Sequence, residues 1–183
     1  MHKAGFMQEK VLTETFLHHL KDNKVKRLVV GLSGGIDSVV LLDLVSQVSE
    51  VPVSAVHVNH HLHPRSDEYE KFCIALAEKY QIGLHCQSVA VSTRGSIEAK
   101  AREARYNVFQ QHLDEGDLLL LAHHADDQVE TILFRLFRGG RVSGLEGMPV
   151  ARPIGKAALY RPLLEITRSE IETYAREQGL SWC

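Results

Sequence analysis

The run Leu28, Val29, Val30, Gly31, Leu32, followed at once by Ser33, Gly34, Gly35, Ile36, Asp37, Ser38 and then by Val39 to Leu44, leaves the chain few ways to fold. A short apolar run reads as a buried strand, the paired glycines as a tight turn, and the second apolar run as a helix start. Adjacent glycines let the backbone approach a ligand. The free amides of the helix's first turn then point at whatever lies above them, an arrangement that favours phosphate. The chain has neither the GxxxxGK[ST] loop nor the spaced GxGxxG of dinucleotide binders, so neither of those nucleotide folds is supported. Serine hydroxyls at both ends add donors, and Asp37 supplies a carboxylate suited to a magnesium ion that bridges phosphates. Taken alone, the segment also fits an ordinary βα turn with glycines for packing.

Hydrophobic spacing extends the pattern. Val11, Phe16, Leu17 and Leu20 predict an amphipathic helix from about Glu9 to Lys21, before a strand at Arg27 to Leu32. Val53 to Val58 predicts a second strand, Asp67 to Tyr80 a helix opened by a capping box of Asp67 and Glu70, and Leu84 to Val89 a third strand. Ser96 opens a helix to about Leu113, Asp117 to Ala122 is a fourth, apolar strand, and Asp126 to Phe137 is the next helix. Thr167 and Glu170 form a capping box for a last helix that stops at Gly179. Apolar strands alternating with helices predict an α/β fold: a parallel, Rossmann-like sheet of about five strands with helices on both faces and right-handed crossovers. Ligands bind such sheets at the strands' carboxyl ends. The polar clusters all follow strands: Ser33 to Ser38 after the first, His57, Asn59, His60 and His61 after the second, and His123, His124, Asp126 and Asp127 after the fourth. One shared site is therefore expected.

A chain of 183 residues, 44% hydrophobic, suffices for one well-buried domain spanning 1–183. No early stretch has the form of a signal peptide and no apolar run nears the ~20 residues that cross a bilayer, so no membrane association and a cytoplasmic location are expected. Cys73, Cys86 and Cys183 are odd in number and lack CxxC spacing, which reads as structural thiols. A net charge of -2 argues against a general nucleic-acid binder, yet from Thr131 to Arg168 seven bases stand against two acids. That stretch suits a polyanionic substrate beside the site, or is simply solvated surface. Within it, residues 138–166 read as a glycine-rich and basic substrate-facing segment, with Arg138 and Arg141 on a loop able to close over a substrate.

The histidines at 57, 60 and 61 invite a metal reading, but no cysteine lies close by, and lining of a nucleotide pocket, with backbone recognition of adenine around His57, fits better. In His123 to Glu130, Asp127 and Glu130 stand three apart and share a helical face. Asp37, Asp126 and Asp127 could hold magnesium against ATP, while Asp127 and Glu130 could instead bind an ammonium group. Both roles stay open, as does that of Asp127 or His123 as a general base.

The loop SGGIDS resembles the signature of the PP-loop ATP pyrophosphatases, which split ATP between its α and β phosphates. With HVNHHL at 57–62, IEAKAREARY at 97–106, AHHADDQVET at 122–131, then RGGRVSGLEGM and RPLL, the resemblance narrows to the tRNA(Ile)-lysidine synthetase family, colinear from about Leu28 to Trp182. It implies an adenine nucleotide alpha hydrolase type of fold. It also implies ATP-dependent ligation of free L-lysine to C2 of the anticodon cytidine of tRNA(Ile), through a tRNA adenylated at the cytosine O2, with release of pyrophosphate and then AMP. Carried onto this sequence, Ser33, Gly34, Gly35, Ile36, Asp37, Ser38 and His57 would hold ATP, with Asp37 and Asp126 on Mg2+. Asp127 and Glu130 would bind lysine, helped by His123, and Arg102 and Arg105 would neutralise substrate or phosphate charge. Asp37, Asp127 and Arg105 are then the catalytic candidates, and Arg135, Arg138 and Arg141 flank a path for the anticodon loop. A homodimer is left open.

Two departures stand out. Many members of the family carry an arginine where this chain has His63, with Arg65 two positions later. The chain also stops at Trp182 and Cys183, where the family continues into helical tRNA-binding domains, so a catalytic domain alone is expected, one that binds ATP but modifies tRNA weakly or not at all. The alternative enzyme is a PP-loop tRNA thiolase, which needs paired cysteines that Cys73 and Cys86 do not provide.

Overall fold

Leu28, Val29 and Val30 are fully buried because strand β1 (Arg27–Gly31) has a strand on each edge and helices over each face. The computed structural model describes residues 20, 24–48, 50–91, 96–137 and 146–183. After β1 come α1 (Ile36–Val48), β2 (Val53–Asn59), α2 (Ser66–Lys79), β3 (Gly83–Ser88), α3 (Ile97–His112), β4 (Asp117–Leu120), α4 (Ala125–Phe137), β5 (Ala151–Ile154), β6 (Ala157–Tyr160) and α5 (Arg168–Glu177). The predicted helix over Glu9 to Lys21 lies, apart from Leu20, outside the described residues, as does the loop that carries Arg138 and Arg141.

The strands form one sheet of six in the order β3-β2-β1-β4-β6-β5. Every neighbouring pair is parallel except β5 with β6. In register, Leu28 sits between Val53 and Leu118, and Val30 between Ala55 and Leu120. Alternation along the strands sends Leu28, Val30, Leu118 and Leu120 to the face covered by α1, α2 and α5, and Val29, Val56 and Leu119 to the face covered by α3. The chain runs from β1 outward to β3 and then returns to place β4 on β1's other edge, so the crossover direction reverses between β1 and β4. In open α/β sheets this is where ligands bind. α4 buries none of its side chains, and among the described residues no helix is long and apolar enough to cross a membrane.

Two expectations are corrected here. The sheet has six strands where about five were expected, because 151–160, read as part of a glycine-rich and basic segment with no strands assigned, fold into an edge hairpin. Arg152 and Pro153 hide β5, and an edge strand tolerates proline because one row of its N–H groups faces outward. The second correction is the capping box at α2. The N-cap is Arg65, without a side-chain cap. Asp67 and Glu70 instead accept hydrogen bonds from Asn59 Nδ2 at 3.2 and 2.8 Å, tying the end of β2 to α2. At α5 the predicted box is present in both halves, Thr167 accepting from the Glu170 amide while Glu170 accepts from the Thr167 amide. Behind the sheet, buried Asp43 on α1 accepts from Tyr80 at 2.5 Å, from Tyr174 at 2.7 Å and from Gln47 at 2.7 Å, joining α1 to α2 and α5.

Candidate active site

The three polar clusters meet around one cavity of about 550 Å³ at the carboxyl ends of β1, β2 and β4. Ser33, Gly35, Asp37 and Ser38 line it from the first loop, His57, Asn59, His60 and His63 from the second, and His123 and Asp127 from the third, with Arg105 from α3. Each of the three polar clusters thus contributes to one cavity, while His61, His124 and Asp126 stand outside its lining.

The first loop is shaped from within. Gly34 turns the chain at φ +86, a left-handed value. Ser38 Oγ donates to Gly35 O at 2.9 Å and accepts from the Ser33 amide at 3.1 Å, while Ser33 Oγ accepts from the Gly35 amide at 3.3 Å and lies 3.0 Å from Ser38 Oγ. Both hydroxyls therefore brace the loop where the sequence suggested free donors. The Cys183 amide closes the outer side, donating to Gly34 O at 3.0 Å. Cys73 lies buried beneath, its thiol pushed up to about 12 by burial and then by nearby Cys183, which keeps it inert.

His57 is held by its own ring. Its Nδ1 lies 2.8 Å from Leu32 O, so Nδ1–H donates to that carbonyl and Nε2 is left as the acceptor. Asn59 Oδ1 accepts from the His61 amide at 2.9 Å, folding the loop back at His61, whose φ is +49. His63 lines the cavity, whereas Arg65 pairs with Glu68 at 2.7 Å on the exposed surface.

At the third loop Asp127 Oδ2 accepts from the His124 amide at 2.8 Å, the reach-back of an acidic residue in a first helical turn. His124 Nε2 stands 3.7 Å from Asp37 Oδ1 and 3.6 Å from Asp127 Oδ2, so two carboxylates converge on one point. Oxygen donors beside a phosphate-favouring loop suit magnesium, which uses one or two carboxylates and completes its shell with water and phosphate. No cluster of three or more His, Cys, Asp or Glu forms a ready metal cage among the described residues. Asp126 is placed differently from Asp37 and Asp127: it is exposed, does not line the cavity, and accepts from the Arg168 amide at 2.9 Å, which lowers its carboxyl below the usual range. Glu130 is exposed one turn further along α4, also outside the lining.

Charge in the cavity is unevenly compensated. Arg105 lines it with no hydrogen bond or ion pair among the described residues, and burial, followed by the charge of Arg102, outweighs Tyr106 in pushing its guanidinium down. Burial and then Arg161 hold His123 at about 4, neutral at physiological pH. Arg161 Nε donates to His123 Nδ1 at 3.0 Å, which fixes the remaining ring proton on Nε2 and makes His123 a donor. His60 is lowered by burial, then by Arg105 and His57.

Three residues of the site escaped sequence reasoning. Arg168 Nη1 meets both oxygens of Asp37 at 2.7 Å. Arg161, 2% exposed, anchors His123 and donates to Pro149 O at 2.6 Å. Gln128 clasps Met148, donating to its carbonyl at 2.9 Å and accepting from its amide at 2.5 Å. Each acts across 20 or more positions, and only the conjunction of RPLL with the Thr167 capping box hinted at the first two.

Residues 8–183 match the sequence model of the PP-loop domain. The chain is 45% identical over 157 residues to the tRNA(Ile)-lysidine synthase of Pseudomonas fluorescens, covering 84% of this chain and 36% of that protein. Against the protein of that name from Nitrosomonas europaea it is 46% identical over 181 residues, covering 93% of this chain and 39% of that protein. It thus spans little more than a third of these relatives. Among solved structures, the U34-tRNA thiolase NcsA from Methanococcus maripaludis, determined with its [4Fe-4S] cluster, superposes with a TM-score of 0.72 at 18% identity, over 98% of this chain and 64% of that one, a likeness of fold.

Proposed function

We propose that this chain, which belongs to the PP-loop ATP-binding domain family, holds the catalytic centre of an enzyme that ligates lysine to C2 of the anticodon cytidine of an isoleucine tRNA. The observation that carries the reading is the convergence of Ser33, Asp37 and Ser38, of His57, Asn59 and His60, and of His123 and Asp127 on one cavity at the reversal point of the sheet. The names of the relatives supply the substrate class.

In this reading ATP lies with its phosphates toward the amides that open α1 and toward Arg105, which makes no hydrogen bond or ion pair among the described residues. Asp37 would hold a magnesium ion, which would supply charge neutralisation for the departing pyrophosphate. The cytosine O2 attacks the α phosphorus and pyrophosphate leaves. Asp127 takes a proton from the lysine ammonium, the freed Nζ attacks C2, the C2–O2 bond breaks, and AMP departs with that oxygen. Arg105 and the Nε2–H of His123 are the donors placed to stabilise charge as it develops. Asp127 receives the incoming ammonium, and Glu130, further along the same helix, adds a second contact.

The test follows labelled AMP from ATP in the presence of lysine and isoleucine tRNA, with each omitted in turn. It uses the chain alone and the chain joined to the remaining sequence of the Pseudomonas fluorescens relative. AMP release that requires both lysine and tRNA is expected from the joined protein; release indifferent to lysine, or dependent on a sulfur donor, overturns the reading. In the same assay Asp127→Ala is expected to raise the lysine KM about ten- to a hundredfold, the loss of one charge-assisted hydrogen bond of roughly 1.5–3 kcal/mol. An unchanged lysine KM with collapsed ATP affinity would assign Asp127 to the metal instead.

A further inference from the structure

Four arginines gather beside the cavity. Among the described residues, Arg102, Arg105, Arg152 and Arg161 make no ion pair with Asp or Glu, and the hydrogen bonds of Arg152 and Arg161 go to Pro153 O, Pro149 O and His123 Nδ1. The guanidinium carbon of Arg102 stands 5.2 Å from the centroid of the Tyr106 ring and that of Arg152 4.9 Å, so a single aromatic ring carries two cations. Arg161 lies buried nearby. Burial alone would raise the Tyr106 phenol, yet Arg152, Arg102 and Arg161 outweigh it and hold that group below its ordinary value. Burial, then Arg152 and Arg102, likewise push the Arg161 guanidinium down.

Cations gathered without counter-charge repel one another unless an anion joins them. The triphosphate does not account for all four. Of this group only Arg105 lines the nucleotide cavity, while Arg102, Arg152 and Tyr106 stand outside it, with Arg102 exposed. A nucleotide whose base enters such a cavity leaves its flanking phosphates outside. Arginines stacked on an aromatic ring are held in place ready to receive them, with little ordering left to do on binding.

We propose that Arg102 and Arg152, seated on Tyr106, form a cradle for a backbone phosphodiester of the RNA substrate, gripping the nucleotide whose base is modified. The cradle rests on the RNA reading given above, and β5, which supplies Arg152, gains a role in substrate binding. The test measures anisotropy of a labelled RNA stem-loop with a cytidine in its loop, titrated with this chain from about 50 to 200 mM KCl, beside a magnesium-ATP titration. Arg102→Gln and Arg152→Gln are each expected to reduce the slope of log affinity against log salt by about 0.7–0.9 and to leave ATP affinity within about twofold of wild type. Arg152→Lys, which keeps the charge, is expected to restore the slope, a result that loss of packing would not give. RNA binding by the wild type with slopes unchanged in both glutamine variants overturns the cradle alone. ATP affinity that falls while the RNA slope holds overturns it too, assigning the arginines to the triphosphate. A wild type without salt-dependent RNA binding overturns the RNA reading together with the cradle.

Discussion

Gly34 shows how much of the site depends on single positions. Its φ of +86 turns the loop after β1, and a Cβ there would meet Cys73 Sγ at 3.4 Å and Phe72 Cδ1 at 3.6 Å, which is ordinary contact. The cost of Gly34→Ala is therefore mainly conformational, roughly 1–2 kcal/mol for an L-residue in the left-handed region. For a chain of this size that lowers Tm by about 2–8 °C; thermal denaturation checks it, and an unchanged Tm would show that the loop relaxes freely. ATP affinity should fall as well, because the Ser33 and Ser38 braces are built on this turn. Arg168 makes the opposite prediction. Its guanidinium occupies both oxygens of Asp37, with 41% of the arginine side chain and 26% of the aspartate side chain exposed. Such a pair is worth about 0–1 kcal/mol, and a cation that binds Asp37 must displace it. Arg168→Ala should lower the magnesium concentration that half-saturates ATP binding by about threefold, roughly 0.6 kcal/mol. A rise instead would identify Arg168 as a phosphate ligand.

Helix α5 joins the site to the core on one face of the sheet. Its N-terminus presents Arg168 to Asp37, and one face inserts Ile171 and Tyr174 into the core, where Tyr174 donates to buried Asp43. The Thr167 capping box fixes where the helix begins, so Thr167→Ala should cost about 1 kcal/mol and lower Tm by about 2–4 °C. Amide exchange should quicken first at the amides around Glu170; a uniform change across the sheet would argue against a local cap. This element was readable because its signals are local: a capping serine or threonine, an acidic residue three places on, and a glycine at the end. The β5–β6 hairpin was not, since each strand has only four residues and a proline interrupts the first. Its two-residue turn is set by Gly155, at φ +55, ahead of Lys156, and in the sequence that glycine reads as one more feature of a loop. The Asp67 and Glu70 spacing misled for a related reason. Asn59, eight residues from Asp67 and on another element, takes both carboxylates, and no local pattern encodes that competition.

For the whole molecule, the order β3-β2-β1-β4-β6-β5 gathers three polar loops at one end, and continuous apolar strands made that end legible. What the periodicity could not supply was the compensation of charge between elements, which decides that His123 serves as a neutral donor to the cavity. That compensation sets how the fold responds to pH. His123 is held at about 4 by burial and then Arg161, with Arg102 and Arg105 adding to the effect against Asp127. His60 is lowered by burial, Arg105 and His57. His112, stacked on His85 at 4.5 Å, is lowered by burial, His85 and Arg27 against Asp117 and Asp114. In each case the unfolded imidazole, near 6.5, binds its proton more readily than the folded one. Stability is therefore full above about pH 6.5 and is lost progressively as pH falls toward 4. The carboxylates Asp117 and Asp126 are lowered in the folded state, so their contribution is present above about pH 5 and is lost mainly below about 3.9. The histidines should thus dominate the fall of the urea midpoint between pH 6.5 and 4, with His123 contributing about 3 kcal/mol. His123→Asn keeps a carbonyl acceptor for Arg161 and removes the titration, so its urea midpoint should vary much less across that range. Equal pH dependence in variant and wild type would mean that His123 is not the group whose protonation unfolds the protein.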